Sequence, residues 1–234
     1  MARTNVEYAD WQITVYPTCP YNCRYCWANT PLFRYRTQNP RPLEEARKLL
    51  NAKKSLRVVV SFTSDPYQPR ELNEKLTQLV LSILLGSRHE VYVLTKNPKL
   101  AVERDLELFR VGGFWLGSTI TALWHIGAEP KAPGNDERVY WLRQAHEKGV
   151  KTWVSIEPWI PYVTAPIEII KETQNYVDFY VIGRLNYAGK FGFKIPKDYY
   201  KSHLPAVISF LERLGKPFHI KKELKKEVYG EDDC

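Results

Sequence analysis

The stretch "QITVYPTCPYNCRYCW", residues 12–27, joins a β-branched and aromatic run to three closely spaced cysteines. Residues 12–18 predict a strand buried on both faces, because such strands read as nearly continuous apolar runs. Cys19, Cys23 and Cys26 follow that run directly, all within eight residues. The stretch therefore predicts the first strand of a sheet and thiols that bind metal at its carboxyl end.

Five further apolar runs follow the first, and helical patterns separate them. The runs lie at 57–63, 90–96, 114–120, 151–158 and 179–185, and the helical patterns at 42–53, 73–87, 98–113, 135–149, 166–176 and 198–215. Alternation of this kind predicts an α/β fold whose parallel strands are joined by right-handed crossovers. Six units are fewer than the eight of a complete barrel of about 250 residues. The sequence therefore predicts a partial (βα)6 TIM-type barrel.

Composition favours a single globular domain over residues 1–234. Hydrophobic residues make up 44% of the 234 residues and charged residues 26%. We expect a core over about 10–190, with a helix and a strand in 191–234 closing the barrel. Because no run approaches the roughly 18 apolar residues of a membrane span, and the first residues lack a secretory pattern, we expect a cytoplasmic protein without a membrane partner.

The cysteine spacing favours an iron–sulfur cluster over other thiol sites. Four cysteines are too few for a disulfide scaffold in a chain of this length. A bacterial ferredoxin pattern would add a fourth nearby cysteine, and a structural zinc site would add a second pair downstream. The nearest histidine after the cluster is His89. The favoured interpretation is one [4Fe–4S] cluster with one iron left open.

Polar side chains stand at the carboxyl ends of the other predicted strands. They include Ser64 and Asp65 after the second, Lys96 after the third, Ser118 and Thr119 in the fourth, Glu157 in the fifth, and Arg184 and Asn186 at the sixth. Because chemistry in such folds sits at this edge, these are candidate site residues. Simpler roles stay open: Asp65 as a turn residue before Pro66, Lys96 as an exposed loop lysine, and Ser118 as a core hydroxyl.

The motif Cys19-x3-Cys23-x2-Cys26 resembles the signature of the radical S-adenosylmethionine (radical SAM) enzymes. The resemblance implies that the amino and carboxylate groups of SAM occupy the open iron. It further implies that an electron, delivered by a flavodoxin- or ferredoxin-type reductant, cleaves SAM to methionine and a 5′-deoxyadenosyl radical. That radical abstracts hydrogen from a substrate. Tyr25 and Trp27 match aromatic positions that pack on the cofactor.

Four segments extend the resemblance to the group of spore photoproduct lyase. They are "SFTSDPYQPRELNEKLTQ" (61–78), "VLTKNPKLAVERDLELF" (93–109), "VSIEPWIP" (154–161) and "VIGRLNY" (181–187). The resemblance, which covers roughly 12–187, implies that Lys96 and Ser118 contact SAM and that Ser64 lies near its methionyl portion. Position alone makes Glu157 a partner of Arg184, or a ligand of the SAM ribose or amine. Asn186 is a candidate to bind substrate or the SAM adenine.

One departure bears on the reaction. The photoproduct lyase uses a cysteine after its second strand to return a hydrogen atom, whereas "SFTSDPYQP" contains none. This weakens the implication of thymine-dimer repair, and it makes Tyr67 a candidate hydrogen donor. The aromatic residues Trp115, Trp124, Trp141, Trp153 and Trp159 are expected mainly to pack, although an aromatic rim beside basic residues would suit a flipped base.

The sequence therefore predicts a radical SAM enzyme, of lyase or transferase type, with an unidentified substrate. The net charge of +8 permits a nucleic-acid substrate without demonstrating one. The alternative is a non-catalytic iron–sulfur protein for electron transfer or regulation. In that case four protein ligands are needed, and Cys234 would be the fourth.

Overall fold

The structure, a computed structural model, describes residues 4–29 and 40–230. Within these residues seven parallel strands form a half-barrel in the order β1 to β7. They are β1 (Trp11–Ile13), β2 (Arg57–Val60), β3 (Glu90–Thr95), β4 (Trp115–Thr119), β5 (Lys151–Trp159), β6 (Phe179–Arg184) and β7 (Phe218–Ile220). Each strand pairs with the next one along the chain, which confirms the predicted α/β partial barrel.

Helices follow the strands and cover the outer face of the sheet. They are α1 (Pro42–Leu50), α2 (Glu71–Glu74), α3 (Leu76–Leu84), α4 (Pro98–Gly112), α5 (Asn135–Glu147), α6 (Pro166–Thr173), α7 (Tyr199–Leu214) and α8 (Lys222–Tyr229). Proline opens three of them, because its missing N–H costs nothing in the first turn. Within the described residues, no helix combines the length and apolar character needed to span a bilayer.

Two predicted elements begin or end elsewhere in the structure. The first strand ends at Ile13 rather than at residue 18, because the next backbone groups leave the ladder: the Val15 N–H donates to the Ser61 hydroxyl at 3.2 Å. The helix predicted from residue 73 is two helices, α2 and α3, separated by Lys75 in the left-handed region. The Glu71 carboxylate accepts the Thr77 N–H at 2.9 Å, which caps the second of these helices.

The concave face of the half-barrel is filled by side chains from the strands and by the first described residues. Val6 and Tyr8 pack there against Trp153, which is fully buried. A Cβ on Gly117 would lie 2.1 Å from the Trp153 ring, so only glycine leaves room for that ring. The lower part of the barrel is therefore solid, and the open space lies toward the carboxyl ends of the strands.

A polar link joins the first described residues to the last strand. The Glu7 carboxylate accepts hydrogen bonds from His219 Nε2 at 3.0 Å and from the Lys222 N–H at 2.8 Å. Lys221 Nζ lies 3.8 Å from the same carboxylate, and its side chain is nearly buried. β7, in the region 191–234 expected to hold a strand, thus extends the sheet beyond β6. The boundaries of the single predicted domain remain a prediction.

Candidate active site

The three cysteines of the 19–26 motif lie in the loop after β1 and line one cavity with residues from the ends of β2 and β3. Asn22 gives this loop its turn with φ of 50°, a left-handed conformation that asparagine tolerates well. The Cys26 N–H donates to the Cys23 carbonyl at 3.0 Å, which tightens the second half of the motif. The loop therefore presents Cys19, Cys23 and Cys26 toward the same space.

Burial opposes ionisation of Cys19 and Cys23. Desolvation raises the pKa of Cys19 to about 12 and also raises that of Cys23, which the charge of Lys96 opposes. Ionisation of these two thiols therefore requires a strong positive charge beside them, such as a bound metal. Among the described residues, no three histidine, cysteine, aspartate or glutamate side chains are gathered closely enough for one metal ion.

Three thiols that line one cavity without gathering around one point suit an iron–sulfur cluster better than a single metal ion. In a cubic cluster each thiolate binds a different iron, so the three sulfur atoms stand farther apart than the ligands of one ion. The donor set, three thiols on one cavity wall, is also the set that such a cluster prefers. The residues present therefore fit a cluster with three protein ligands.

Tyr25, between the second and third cysteines, is anchored below the cavity by Glu129. The buried Tyr25 hydroxyl donates to Glu129 Oε1, and Lys96 Nζ lies 3.7 Å from the same oxygen. Lys96 Nζ also lies 5.6 Å from the centre of the Tyr25 ring. The cysteine loop and the lysine after β3 are thus held by one carboxylate from the loop after β4.

Arg138, fully buried on α5, completes this network. Its guanidinium donates to Glu129 Oε2 at 2.5 Å and to the Thr119 carbonyl at 2.9 Å. Burial opposes ionisation of Glu129, but Lys96, Arg138 and the hydrogen bonds together lower its pKa. One carboxylate lies between two cations, so the network carries a net positive charge beside the cysteines.

Asp65 is occupied by the turn that follows β2. Its carboxylate accepts from the Tyr67 N–H at 2.9 Å, the Thr95 hydroxyl at 2.7 Å and the Lys96 N–H at 2.6 Å. Burial raises its pKa, against the lowering effect of these donors. Asp65 lines the cysteine cavity, but its contacts fix the ends of β2 and β3 relative to each other.

Ser64 differs from its neighbour because its hydroxyl is not used by the fold. Ser64 lines the cysteine cavity, and its buried Oγ has no hydrogen-bond partner among residues 4–29 and 40–230. Buried hydroxyls normally have partners. This orphaned atom therefore marks a position where a bound molecule would supply the missing hydrogen bond.

A second cavity adjoins the first one and runs toward β5 and β6. Both cavities are lined by Tyr25, Cys26, Phe62, Leu94, Lys96 and Thr119. The second is completed by Trp27 and Ser155 and by polar side chains at the far end, namely Glu157, Arg184 and Asn186. The structure therefore brings most of the predicted site residues to one continuous space, which we call the joined cavity.

Glu157 and Arg184 face the joined cavity without pairing with each other. Arg184 forms its ion pair with Glu227 of α8, and its buried Nε has no partner among the described residues. Burial raises the pKa of Glu157, Lys221 lowers it, and Glu223 and Glu7 raise it further. Gly183 leaves the space for Glu157, since a Cβ there would lie 2.8 Å from its carboxyl carbon.

Two predicted site residues do not line either cavity. The fully buried Tyr67 hydroxyl donates to Asp105 at 2.9 Å, in a cluster on the outer side of the sheet that includes Arg104. The Ser118 hydroxyl, also fully buried, donates to the Thr95 carbonyl at 2.6 Å. Both hydroxyls are occupied by contacts within the fold.

Sequence reasoning missed Glu129 and Arg138. Both lie in or after the long loop 120–134, where neither stands at a strand end and each reads as an ordinary surface charge. A weak signal existed in the length of that loop, because long loops in compact domains are usually functional. Only the fold brings Glu129 to Tyr25, which lies 104 residues earlier.

Comparisons with known proteins agree with this geometry. Residues 13–165 match the radical SAM superfamily. The uncharacterised protein MJ0683 of Methanocaldococcus jannaschii is 30% identical over 200 residues, which covers 82% of this chain and 76% of that protein. The chain therefore belongs to the radical SAM superfamily.

Two solved structures share the fold at low sequence identity. A spore photoproduct lyase variant with bound AdoMet and dinucleoside spore photoproduct superposes with a TM-score of 0.67 and 14% identity, covering 92% of this chain and 77% of that one. SuiB of Streptococcus suis, bound to S-adenosylmethionine, gives a TM-score of 0.67 and 14% identity over 93% of this chain. The chain spans about half the length of SuiB, 52%.

Proposed function

We propose that this protein is an enzyme that binds one [4Fe–4S] cluster and reductively cleaves SAM, and that the resulting 5′-deoxyadenosyl radical abstracts hydrogen from a substrate. The single observation that carries the proposal is the composition of the joined cavity. Three thiols line one end, and groups that the fold leaves without hydrogen bonds, such as Ser64 Oγ and Arg184 Nε, line its walls.

Cys19, Cys23 and Cys26 would hold three irons of the cluster. When bound, the cluster supplies the electron for SAM cleavage and an iron that takes the SAM amino and carboxylate groups. Lys96 would stabilise the SAM carboxylate, because Glu129 is already balanced by Arg138 and leaves a net positive charge at this point. The Ser64 hydroxyl would donate to an oxygen of the same methionyl portion.

The far end of the joined cavity suits the ribose and adenine of SAM or the adjoining part of a substrate. Glu157, whose pKa is raised by burial, retains a proton more readily than an ordinary carboxyl and would exchange hydrogen bonds with a diol. Arg184 Nε supplies a donor, and Asn186 offers both a donor and an acceptor to a heterocycle.

Apolar side chains would exclude water from the reaction. Trp27 and Phe62, whose ring centres lie 6.4 Å apart, line the joined cavity together with Leu94 and Leu185. Excluding water from this cavity matters because solvent-borne reactants would quench a carbon radical. Thr119 lines both parts of the cavity and would add a hydroxyl between the two ends.

The two solved structures with this fold do not point to a single substrate class. The spore photoproduct lyase structure contains a dinucleoside spore photoproduct, and a SuiB structure contains a precursor peptide. A nucleic acid is the substrate class we propose, with an external flavodoxin- or ferredoxin-type reductant. The absence of a cysteine from residues 61–69 argues against return of hydrogen by a thiol there.

The test is reconstitution with iron and sulfide without oxygen, reduction, addition of SAM, and an assay for 5′-deoxyadenosine. We expect the intact chain to form it and Cys23→Ala to lose both the cluster absorbance and the product. Cys234→Ser is the matched control: Cys234 lies outside the described residues, and we expect its replacement to leave both unchanged. If that replacement abolishes the cluster, four protein ligands are present and the electron-transfer alternative holds instead.

A further inference from the structure

Three exposed aromatic side chains stand on loops at the same edge of the sheet as the joined cavity, and we call these loops the rim. Trp124 is 56% exposed, Tyr162 is 83% exposed and Tyr187 is 48% exposed. They belong to three successive loops, after β4, β5 and β6, at the edge of the sheet where the cavity opens. Aromatic rings of this size are normally buried, so three of them on one rim need a reason.

Two of these rings are held outward by an unusual backbone. Tyr162 has φ of 63° and Tyr187 has φ of 57°, a left-handed conformation that is an outlier for a bulky residue. The fold nevertheless fixes Tyr162, because its N–H donates to the Tyr199 hydroxyl at 3.3 Å. Strained residues of this kind cluster at ligand-binding sites.

Exposed cations without acidic partners lie on the cysteine loop and on the loops after β4 and β6. The exposed cations of the cysteine loop and of the loops 120–134 and 185–198 are Arg24, Lys131, Lys190, Lys194 and Lys197, and none forms an ion pair with a described residue. The acids in the same segments are the buried Glu129 and the exposed Asp198. Elsewhere on the surface, cations such as Arg110 and Arg143 pair with acids on the same helix. The rim therefore carries an unbalanced positive charge.

A groove leads from Trp124 and Tyr162 to the cysteine loop. Trp124 and Tyr162 line two adjoining grooves, and one of these is completed by Arg24 and Phe193. Arg24 stands between two of the cysteines, and its N–H donates to the Ala128 carbonyl at 2.8 Å. A chain lying in the groove would thus pass directly beside the loop that walls the joined cavity.

We propose that this rim binds a single-stranded nucleic acid, with bases stacked on Trp124 and Tyr162 and phosphates beside the rim lysines. The proposal rests on the proposed function and names its substrate class more closely. Flat rings in solvent stack on any base, and a row of unbalanced cations follows a phosphate backbone. A polypeptide would need ordered partners for its backbone or closed pockets for its side chains, whereas this rim offers open rings and charge.

The first experiment measures binding of a fluorescein-labelled 12-nucleotide single strand to the reconstituted full chain by anisotropy. We expect Trp124→Ala and Tyr162→Ala each to weaken binding by roughly tenfold, the size typical of one lost stacking contact. Tyr140→Ala is the matched control, since Tyr140 is 55% exposed on α5, away from the rim. We expect that variant to bind like the wild type.

The second arm tests the charges through the salt dependence of the same binding. The variant carries Lys190→Ala, Lys194→Ala and Lys197→Ala together. We expect its plot of log affinity against log salt to be less steep, with a slope smaller in magnitude by about two to three. Lys53→Ala with Lys54→Ala is the control, because these exposed lysines precede β2 at the opposite end of the sheet. That double variant should leave the slope unchanged.

Three results would overturn the proposal. They are no binding of the strand at low salt, equal losses in the rim and control variants, and equal competition by a polyglutamate peptide of the same length and charge. Production of 5′-deoxyadenosine by the wild-type chain without an oligonucleotide tests the proposed function separately. If the strand binds but no 5′-deoxyadenosine forms, the proposed enzyme activity is wrong and the rim still binds nucleic acid. If 5′-deoxyadenosine forms but the strand does not bind, the enzyme activity stands and the binding proposal is wrong.

Discussion

Glu129, buried beside Tyr25 and Lys96, and Glu157, which lines the joined cavity, are treated in opposite ways by the fold. Glu129 accepts hydrogen bonds from Tyr25, Thr121 and Arg138, and its pKa is lowered. Glu157 makes no side-chain hydrogen bond with a described residue, and its pKa is raised by burial. One carboxylate is fully compensated by the protein, and the other is left facing open space.

This difference distinguishes a carboxylate that stabilises the fold from one that is available to a ligand. A buried charge with every partner in place holds elements together, here the cysteine loop, β3 and α5. A buried charge without partners lowers stability, and a protein keeps such a group where a ligand completes it. The comparison therefore assigns Glu129 to positioning the cysteine loop and Lys96, and Glu157 to the molecule that enters the cavity.

The largest effect is expected at Glu129, the carboxylate that the protein compensates. Glu129→Ala leaves Arg138 charged and fully buried without its carboxylate, so we expect the free energy of unfolding to fall by about 3–5 kcal/mol. Urea unfolding without oxygen measures it. The matched control is Glu147→Ala, which breaks the exposed pair with Arg143 on the same helix and should cost about 0–1 kcal/mol. Similar losses in both variants would show that Glu129 is an ordinary surface group.

A smaller effect is expected when one donor to the same carboxylate is removed. Tyr25→Phe keeps the ring beside Lys96 but deletes the hydroxyl that Glu129 accepts, while Arg138 still compensates the charge. We expect a loss of about 1–2 kcal/mol in unfolding free energy. If the loop is held in this way, the variant also binds SAM more weakly by equilibrium dialysis. Unchanged SAM affinity would limit Tyr25 to a role in stability.

The smallest effect, and one of opposite sign, is expected at Glu157. A carboxyl whose pKa is raised by folding binds more protons in the folded chain, so stability falls as pH rises above the ordinary value of 4.5. Glu157→Gln removes this slope, and we expect it to increase the unfolding free energy at pH 7 of the chain without SAM. Denaturation curves of both chains between pH 4.5 and 7 measure the pH dependence of the unfolding free energy.

The same substitution should weaken the binding of SAM or substrate, because a glutamine side chain has one acceptor oxygen where a carboxyl has two. A gain in stability together with a loss of affinity is the signature of a group kept for a ligand. Glu157→Gln that lowers stability at pH 7 would contradict this account and would place Glu157 in the structural network with Glu129.

The sequence predicted the parts that depend on local pattern. Six apolar runs became strands β1 to β6, and the cysteine spacing pointed to the family that the comparisons show. Strand ends were less certain, because a side chain such as Ser61 can take the place of a ladder carbonyl. Asp65 was visible as both a site residue and a turn residue, and its three donors place it in the turn.

What the sequence determined by itself was the alternation of strands and helices and the three thiols, because periodicity and spacing are written in consecutive residues. Tertiary structure alone decided which charges are satisfied. Glu129 meets Tyr25 across 104 residues, and Arg184 turns to Glu227 instead of Glu157. Such pairings depend on how loops from separate strands converge at one edge of the sheet, and no local pattern specifies that convergence.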